Sequence, residues 1–92
     1  MRYTWDPDKD ALNRRKHKLA LTAGIDALRD PHRDSWNDDR YDYEEVRKIT
    51  LGLGKRGVLY VVTTALNDDC TRLISVRRAD DDEIERYGLG RA

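Results

Sequence analysis

The residues best suited to chemistry lie near the end of the chain, where arginines are followed by a carboxylate and a phenol. Arg72, Arg77 and Arg78 lie in or beside an apolar run, and Glu83 and Tyr87 follow it. The planar guanidinium of arginine binds phosphate through paired hydrogen bonds. Glu83 and Tyr87 are spaced to share one face of a helix. Arg77, Glu83 and Tyr87 would together supply a phosphate clamp, a base and a hydroxyl donor.

The same residues also fit a purely structural explanation. The chain carries 18 basic and 18 acidic residues and no net charge, which removes the simplest argument for a nucleic-acid partner. The arginines can pair with the many aspartates, and composition alone favours this explanation. Glu83 can likewise pair with Arg78 or Arg86 while Tyr87 packs on a sheet. A local basic patch would still be enough to bind phosphate.

His17 is a second candidate for proton transfer. It ends a basic run that includes Lys16, and the ordinary pKa of histidine, about 6.5, suits proton exchange near neutral pH. A histidine at a helix end is also commonly a helix cap. His32 lies in a polar segment and is the weaker candidate.

Composition excludes several classes of protein. The single cysteine, Cys70, cannot form an internal disulfide and offers no paired metal ligand. No apolar run approaches the roughly 18 residues of a membrane helix, and the start of the chain lacks the apolar core of a signal peptide. We therefore expect a cytoplasmic protein without a membrane partner, metal or cofactor. The length of 92 residues predicts a single domain, 1–92.

Two helices are predicted near the start, after a short strand at residues 1–5. Asp6 is suited to cap exposed N–H groups, and Pro7 fits the first helical position. This helix is expected to end near His17. Apolar residues recur at helical spacing over residues 20–29, which predicts a second helix.

A polar segment and an antiparallel meander follow. Residues 30–45 are expected to form a long loop or lid. Its aromatic side chains, Trp36, Tyr41 and Tyr43, would stack on bases or fold back onto the surface. Strands are predicted at 46–53, 58–64 and 71–77, joined by short turns. The continuous apolar run at 58–64 predicts that this strand is central, with both faces covered. A short helix is predicted at 80–87 and would stop at Gly88. The fold class is therefore α+β, with a sheet of three to four antiparallel strands packed by two N-terminal helices and the short C-terminal helix.

The order and spacing of these residues resemble the BrnT family of toxins, whose fold is similar to that of RelE ribonucleases. The most specific element is R-L-I-S-V-R-R-A, residues 72–79, followed by Glu83 and Tyr87. It matches the family pattern R-x-I-S-A-R-x-A-x3-E-x3-Y without a gap. Further matching positions are Trp5-Asp6-Pro7, Asn13, Lys16-His17, Asp30-Pro31, Arg47, Gly52 and Gly57.

The resemblance implies an endoribonuclease toxin of a type II toxin–antitoxin pair, which cleaves RNA without a metal and inhibits translation and growth. It also implies a ribbon-helix-helix antitoxin of the BrnA type, through which alone the toxin would contact DNA. The catalytic residues that it implies are Arg77, Glu83, Tyr87, His17 and Arg72. The RNA-binding residues that it implies are Arg47, Lys48, Arg78 and Lys16.

The sequence departs from the family pattern most clearly at residues 80–82. Three aspartates stand there in place of the usual basic or polar residues, and their charge would repel RNA at low salt. They would equally serve as favourable charges at a helix start. A smaller departure is Lys18, where the family commonly has glycine. A second hypothesis is therefore a toxin-like binding module that has lost catalysis and acts with its antitoxin in DNA-bound regulation, and a third is a small structural domain.

Overall fold

The computed structural model of the chain describes residues 1–40 and 44–90. Its elements in chain order are β1 (Arg2–Thr4), α1 (Pro7–His17), a 3-10 turn (Leu21–Ala23), α2 (Gly24–Leu28), β2 (Asp34–Asp38), β3 (Arg47–Gly54), β4 (Gly57–Asn67), β5 (Cys70–Arg78) and α3 (Asp81–Gly90). Tyr41 and Tyr43 lie outside the described residues.

The described strands form one sheet in the order β1-β5-β4-β3-β2. The meander of β3, β4 and β5 is antiparallel, as the short turns between these strands predicted. The expectation of three to four strands, all antiparallel, is wrong in two respects. β1 joins the sheet parallel to β5, and the segment 30–45, predicted to be a loop, contains β2 paired antiparallel with β3. The fold is therefore α+β with a five-stranded mixed sheet.

Both differences concern strands at the edges of the sheet. An edge strand pairs on one side only, so short length and polar residues are tolerated there. In β2 only Trp36 is strongly apolar, and the Ser35 hydroxyl bonds to that of Thr50 at 2.8 Å. The direction of β1 follows from the pairing of Arg2 with Cys70. No local pattern encodes a pairing between residues so far apart in the chain.

α1 begins and ends where the sequence predicted. The Asp6 carboxylate accepts a hydrogen bond from the backbone N–H of Asp8 at 2.9 Å, and Pro7 occupies the first turn. The helix ends at His17, and Lys18 follows in the left-handed conformation with φ of 61°. The second helix, predicted at 20–29, is divided into the 3-10 turn and α2.

α3 is longer than predicted. It continues to Gly90 instead of ending at Tyr87 with Gly88 as its stop. A glycine ends a helix when it adopts the left-handed conformation, and Gly57 is the only described glycine with a positive φ. No helix in the described part of the chain is long and apolar enough to cross a membrane.

β4 is the central strand, as its continuous apolar run predicted, and it contributes to a buried cluster on each face of the sheet. The cluster on the α2 side contains Leu21, Ala27, Leu59, Val61, Leu73 and Val76. The cluster on the α3 side contains Ile49, Leu51, Tyr60, Val62 and Tyr87. α2 packs so closely on β3 that a Cβ atom at Gly52 would lie 2.2 Å from the carbonyl oxygen of Ala27.

Candidate active site

Arg77 and Glu83 form the centre of the candidate site. β5 presents Arg77 to the face covered by α3, and Glu83 lies in the first turn of that helix. The Nη1 and Nη2 atoms of Arg77 donate to the two carboxylate oxygens of Glu83 at 2.8 and 2.9 Å. The guanidinium also lies over the ring of Tyr60, 3.8 Å from its centroid. These contacts bring together two of the residues that the sequence analysis placed in one site.

The ion pair leaves one edge of the Arg77 guanidinium open. Nη1 donates a second hydrogen bond to the carbonyl oxygen of Arg78 at 3.1 Å, so three of the five N–H donors of the group are used. The remaining donors, Nε–H and the second Nη2–H, lie side by side on one edge. No described residue accepts a hydrogen bond from either of them. Two parallel donors fit two oxygens of one phosphate group.

Arg77 and Glu83 stabilise each other in their charged forms. The hydrogen bonds to Glu83 raise the pKa of Arg77, although its partial burial acts in the opposite direction. The hydrogen bonds from Arg77 lower the pKa of Glu83 despite partial burial, and the backbone N–H of Asp80 adds to this effect. Glu83 is therefore ionised at neutral pH and is a weak base, better suited to hold Arg77 in place than to accept a proton.

The aspartates before Glu83 form the start of α3. Asp80 accepts a hydrogen bond from the backbone N–H of Glu83 at 2.9 Å, and Glu83 accepts one from that of Asp80 at 2.8 Å. This reciprocal pair is a capping box. Asp81 and Asp82 follow in the first turn, where negative charge stabilises the helix dipole. The local fold thus accounts for Asp80 and Asp81, while Asp82 also faces the candidate site.

A cavity of about 300 Å³ lies beside this ion pair. Its walls combine aromatic rings with charged side chains, and the lining residues are Trp36, Arg40, Ile49, Tyr60, Asp82, Glu83 and Arg86. The guanidinium of Arg86 stacks on Trp36 at 3.8 Å from the ring centroid, and Arg40 donates to the hydroxyl of Tyr60 at 3.3 Å. Aromatic faces next to guanidinium groups are surfaces on which the bases of single-stranded RNA stack.

Each arginine that lines this cavity is paired with a carboxylate. Arg86 donates to Asp34 at 2.7 Å, and Arg40 donates to both oxygens of the buried Asp38 at 2.9 and 3.1 Å. The cavity therefore offers an ordered set of donors without a large excess of positive charge. Within residues 1–40 and 44–90, no group of three or more His, Cys, Asp or Glu side chains is arranged to hold a metal ion.

His17 ends α1 and lines a small cavity together with Ile74 and Ser75 of β5. The Asn13 side chain exchanges two hydrogen bonds with the backbone of Val76, at 2.9 and 3.0 Å, and so holds α1 against β5. His17 is half-buried, which lowers its pKa, and the positive charges of Lys16 and Arg77 lower it further. The imidazole is therefore mostly neutral at pH 7 and able to accept a proton.

Arg72 lies away from this site along the sheet, although a bulge in β5 places it on the same face as Arg77. Leu73 and Val76 enter the same core cluster although their spacing in a regular strand would place them on opposite faces. The bulge lies where the pairing with β4 shifts register. Arg72 and Arg77 consequently share a face, in contrast to the expectation for a regular strand. Their partners on β4 are four residues apart, which is about 13 Å along the sheet.

The other residues predicted to bind RNA are dispersed. Arg78 points to the opposite face of the sheet from Arg77, and it lines a different cavity. Arg47 and Lys48 begin β3, the first half-buried and the second exposed. Lys16 lines a small cavity together with His17.

Tyr87 lies on the buried face of α3, and its hydroxyl binds Asp30. Tyr87 is only 4% exposed, and its hydroxyl donates to the Asp30 carboxylate. The same carboxylate accepts from the backbone N–H groups of Leu53 and His32, at 2.8 and 2.9 Å. Burial raises the pKa of Asp30, but the three hydrogen bonds outweigh it and hold the pKa below its usual value. Tyr87 thereby ties α3 to β3 and to the turn after α2.

Tyr60 and Arg40 belong to the site although they were not among the residues predicted from the sequence. Tyr60 is the one aromatic residue in β4, a strand predicted to be buried on both faces. A tyrosine in such a strand needs a polar partner for its hydroxyl, and this signal could have identified it. Arg40 follows β2 in the segment predicted to be a loop, where its spacing carries no signal.

The fold and the site together define a small α+β protein whose mixed sheet presents a phosphate-sized pair of arginine donors beside an aromatic cavity. The family profile described as "Ribonuclease toxin, BrnT, of type II toxin-antitoxin system" matches residues 5–83. The chain therefore belongs to the BrnT family of toxins. Membership implies a ribonuclease toxin that acts with an antitoxin.

A solved structure supports the same fold. The chain is similar to the Brucella abortus ribonuclease toxin BrnT, known from a crystal structure, with a TM-score of 0.61 and 18% sequence identity. The match covers 88% of this chain and 99% of that one. A comparison with curated proteins found no match.

Proposed function

We propose that the chain is an endoribonuclease that cleaves RNA without a metal ion and binds the scissile phosphate through Arg77. The observation that carries the proposal is the open edge of the Arg77 guanidinium. Glu83 and Tyr60 hold the group in place, while two parallel donors remain for phosphate oxygens. Family membership supplies the reaction class, and the geometry supplies a group able to perform it.

The proposed reaction is an internal transesterification. The ribose 2′-oxygen forms a bond to the neighbouring phosphorus while the bond from phosphorus to the 5′-oxygen of the next nucleotide breaks. The products are a 2′,3′-cyclic phosphate and a 5′-hydroxyl. Negative charge grows on the phosphate oxygens in the transition state, and fixed donors on Arg77 stabilise it without having to reorganise.

His17 is the proposed acceptor of the 2′-hydroxyl proton. Burial and the neighbouring cations lower its pKa, so the neutral base form is available at pH 7. The protonated imidazole then returns the proton to the departing 5′-oxygen. Lys16 assists as a nearby cation. Glu83 positions Arg77, and Tyr87 positions α3 through its bond to Asp30.

The remaining cations are proposed to bind the RNA strand away from the reacting phosphate. Arg72 shares the face of Arg77 and would bind a phosphate further along the strand. Arg47 and Lys48 would do the same at the start of β3. The partly exposed ring of Trp36 would receive a base together with its stacked Arg86.

In the cell, this activity would inhibit translation and growth in the cytoplasm until an antitoxin neutralises it. We expect a ribbon-helix-helix antitoxin of the BrnA type, with DNA contacted only through that partner. Support for an antitoxin comes from the family, which is defined by type II toxin–antitoxin systems.

A second candidate function is a binding module without catalysis that acts with its antitoxin in DNA-bound regulation. The carboxylates around the cavity favour it. Asp34 and Asp38 each occupy an arginine, and Asp82 lines the cavity without an ion pair to a described residue. Negative charge at this position repels the RNA backbone, most strongly at low salt.

RNA cleavage by the purified chain separates the two functions. The chain, freed of antitoxin, is incubated with end-labelled RNA in excess EDTA. The proposal predicts fragments with 2′,3′-cyclic phosphate ends and no cleavage of RNA whose 2′-hydroxyls are methylated. Intact RNA from a folded protein, both free and on ribosomes, would instead support the binding module.

A further inference from the structure

A groove separate from the candidate active site lies on the face of the sheet opposite to Arg77. It has a volume of about 560 Å³, compared with about 300 Å³ for the cavity of the candidate active site. The groove runs between the segment that links α1 to α2 and the turn that joins β3 to β4. Leu59 and Arg78 form its wall on the sheet.

The floor of this groove is aliphatic. The apolar residues that line it are Leu19, Ala20, Ala23, Ile25 and Leu59. None of the described lining residues is aromatic. A surface without aromatic rings cannot stack on the bases of single-stranded nucleic acid, and this stacking is a main contribution to such binding. The floor is therefore suited to aliphatic side chains, and the bases of RNA are better matched by the cavity lined by Trp36.

The rim of the groove is strongly basic. Its cations are Lys18, Lys55, Arg56 and Arg78, and its one carboxylate is that of Asp26. Lys18 donates to the backbone carbonyl of Arg15 at 3.1 Å. Within the described ranges, no carboxylate lies within ion-pair distance of the other three cations. This contrasts with the candidate active site, where each arginine is held by a carboxylate.

The backbone does not require cations at these positions. Lys18 has a φ of 61°, a conformation that glycine adopts more readily than any residue with a side chain. Lys55 and Arg56 form an exposed turn between Gly54 and Gly57. Local structure thus favours glycine at position 18 and accepts many polar residues at positions 55 and 56. The backbone conformation therefore does not explain why these positions carry cations, whereas binding of an acidic partner would.

We propose that this groove docks an acidic, amphipathic segment of the antitoxin. Aliphatic side chains of the segment would fill the floor, and its carboxylates would pair with Lys18, Lys55, Arg56 and Arg78. A helix that presents an apolar stripe to a groove is a common mode of peptide recognition. The inference uses the family assignment and is independent of catalysis, because docking here leaves the Arg77 face uncovered. The groove would then anchor the antitoxin while another part of it blocks the active site.

Charge reversal at the turn tests this proposal. The full chain and its Lys55→Glu/Arg56→Glu variant are titrated with two fluorescent peptides of about 16 residues, or about four helical turns. Both peptides carry leucine at helical spacing. The positions between the leucines are glutamate in the acidic peptide and lysine in the basic peptide. We expect the acidic peptide to bind the unmodified chain, the basic peptide to bind much more weakly, and the variant to lose about tenfold or more in affinity for the acidic peptide. Salt should weaken the binding because the rim is exposed.

The matched control is Lys9→Glu/Arg33→Glu, which makes the same change in charge at exposed positions outside the groove. It should bind the acidic peptide within about twofold of the unmodified chain. The same two variants are then co-expressed with the antitoxin, and the dissociation constant of each complex is measured. We expect the groove variant to bind the antitoxin more weakly than the unmodified chain does, and the control variant to bind it equally well.

Two outcomes would overturn the proposal. Equal antitoxin affinity for both variants would show that the groove does not hold this partner, whatever the peptides do. A selective loss of affinity for single-stranded RNA in the groove variant, with the antitoxin bound normally, would assign the groove to nucleic acid. As a second variant, Thr22→Trp fills the groove from an exposed position. It should reduce antitoxin binding without any change in charge.

Discussion

Replacement of Asn13 is expected to destabilise the fold more than its position on an exposed helix suggests. Asn13 is 5% exposed. Its Nδ2 atom donates to the carbonyl oxygens of Leu19 and Val76 at 2.7 and 2.9 Å, and its Oδ1 atom accepts from the N–H of Val76 at 3.0 Å. β1 pairs with only the first residues of β5. At Val76, where a neighbouring strand would otherwise pair, the backbone N–H and carbonyl groups bond to the Asn13 side chain instead.

The magnitude follows from the groups left without partners. Asn13→Ala removes three hydrogen bonds and leaves two carbonyl oxygens and one N–H in a mostly buried site, at about 1–3 kcal/mol for each group that water does not reach. We expect a loss of about 3–4 kcal/mol. A chain of this size has a free energy of unfolding of roughly 5–14 kcal/mol. The corresponding fall in Tm is about 15–25 °C.

Asn13→Asp is the matched variant, because it keeps the shape of the side chain. The ionised carboxylate of this variant still accepts from Val76 but faces two carbonyl oxygens instead of donating to them. The variant should therefore be at least as destabilised as Asn13→Ala at pH 7. The protonated carboxyl group can donate one hydrogen bond again. The stability of this variant relative to Asn13→Ala should consequently rise as pH falls toward about 4.

Urea unfolding followed by tryptophan fluorescence measures both effects, with each variant compared at neutral and mildly acidic pH. A loss below about 1 kcal/mol for Asn13→Ala would show that the three hydrogen bonds contribute little. An aspartate variant that responds to pH in the same way as the alanine variant would show that the side chain does not face the carbonyl oxygens.

Three further predictions concern packing, pH and the proposed base. Gly52→Ala should cost several kcal/mol in urea unfolding, because the new Cβ would lie 2.2 Å from a backbone oxygen of α2; a loss under about 1 kcal/mol would contradict this close packing. The lowered pKa values of Glu83 and Asp30 stabilise the fold above their ordinary pKa range, about 4, and this stability should be lost as pH falls through their folded values. Glu83→Gln and Asp30→Asn should each flatten the acid limb of the stability profile, and a profile that neither variant changes would contradict the assignment. His17→Gln should reduce RNA cleavage about 100-fold or more and remove the fall in rate that protonation of the imidazole causes at acidic pH; an unchanged rate would exclude His17 as the base.

The contacts that could be predicted from the sequence are the local ones. Arg77 and Glu83 meet because α3 begins directly after β5, and Asp80 fixes that beginning through the capping box. Their spacing in the chain was therefore sufficient. The same holds for Asp6 and Pro7, which set the start of α1.

The contacts that could not be predicted join residues far apart in the chain. Tyr60 lies beneath Arg77, and the hydroxyl of Tyr87 binds Asp30. Neither pair has a periodicity that links its members. The Tyr87 hydroxyl was assigned to catalysis from its spacing and from the family resemblance, whereas its position depends on how α3 packs over β3.

The sequence also did not predict which face of the sheet Arg72 lies on, or that β2 exists, and each failure has its own cause. Alternation in a regular strand would place Arg72 and Arg77 on opposite faces, whereas the bulge in β5 places them on the same face. A bulge adds one residue to a strand and leaves little trace in a single sequence. β2 is polar because it pairs on one side only, so its composition was that of a loop.

The measurement that most directly tests the central claim is RNA cleavage in excess EDTA by Arg77→Ala beside Arg29→Ala. Both variants remove one arginine. Arg29 is an exposed residue at the end of α2 and has no ion pair to a described residue. We predict cleavage by the unmodified chain and by Arg29→Ala, and a loss of about 100-fold or more for Arg77→Ala, with all three proteins folded by circular dichroism. Equal cleavage by the two variants would contradict the assignment of Arg77 as the group that binds the scissile phosphate.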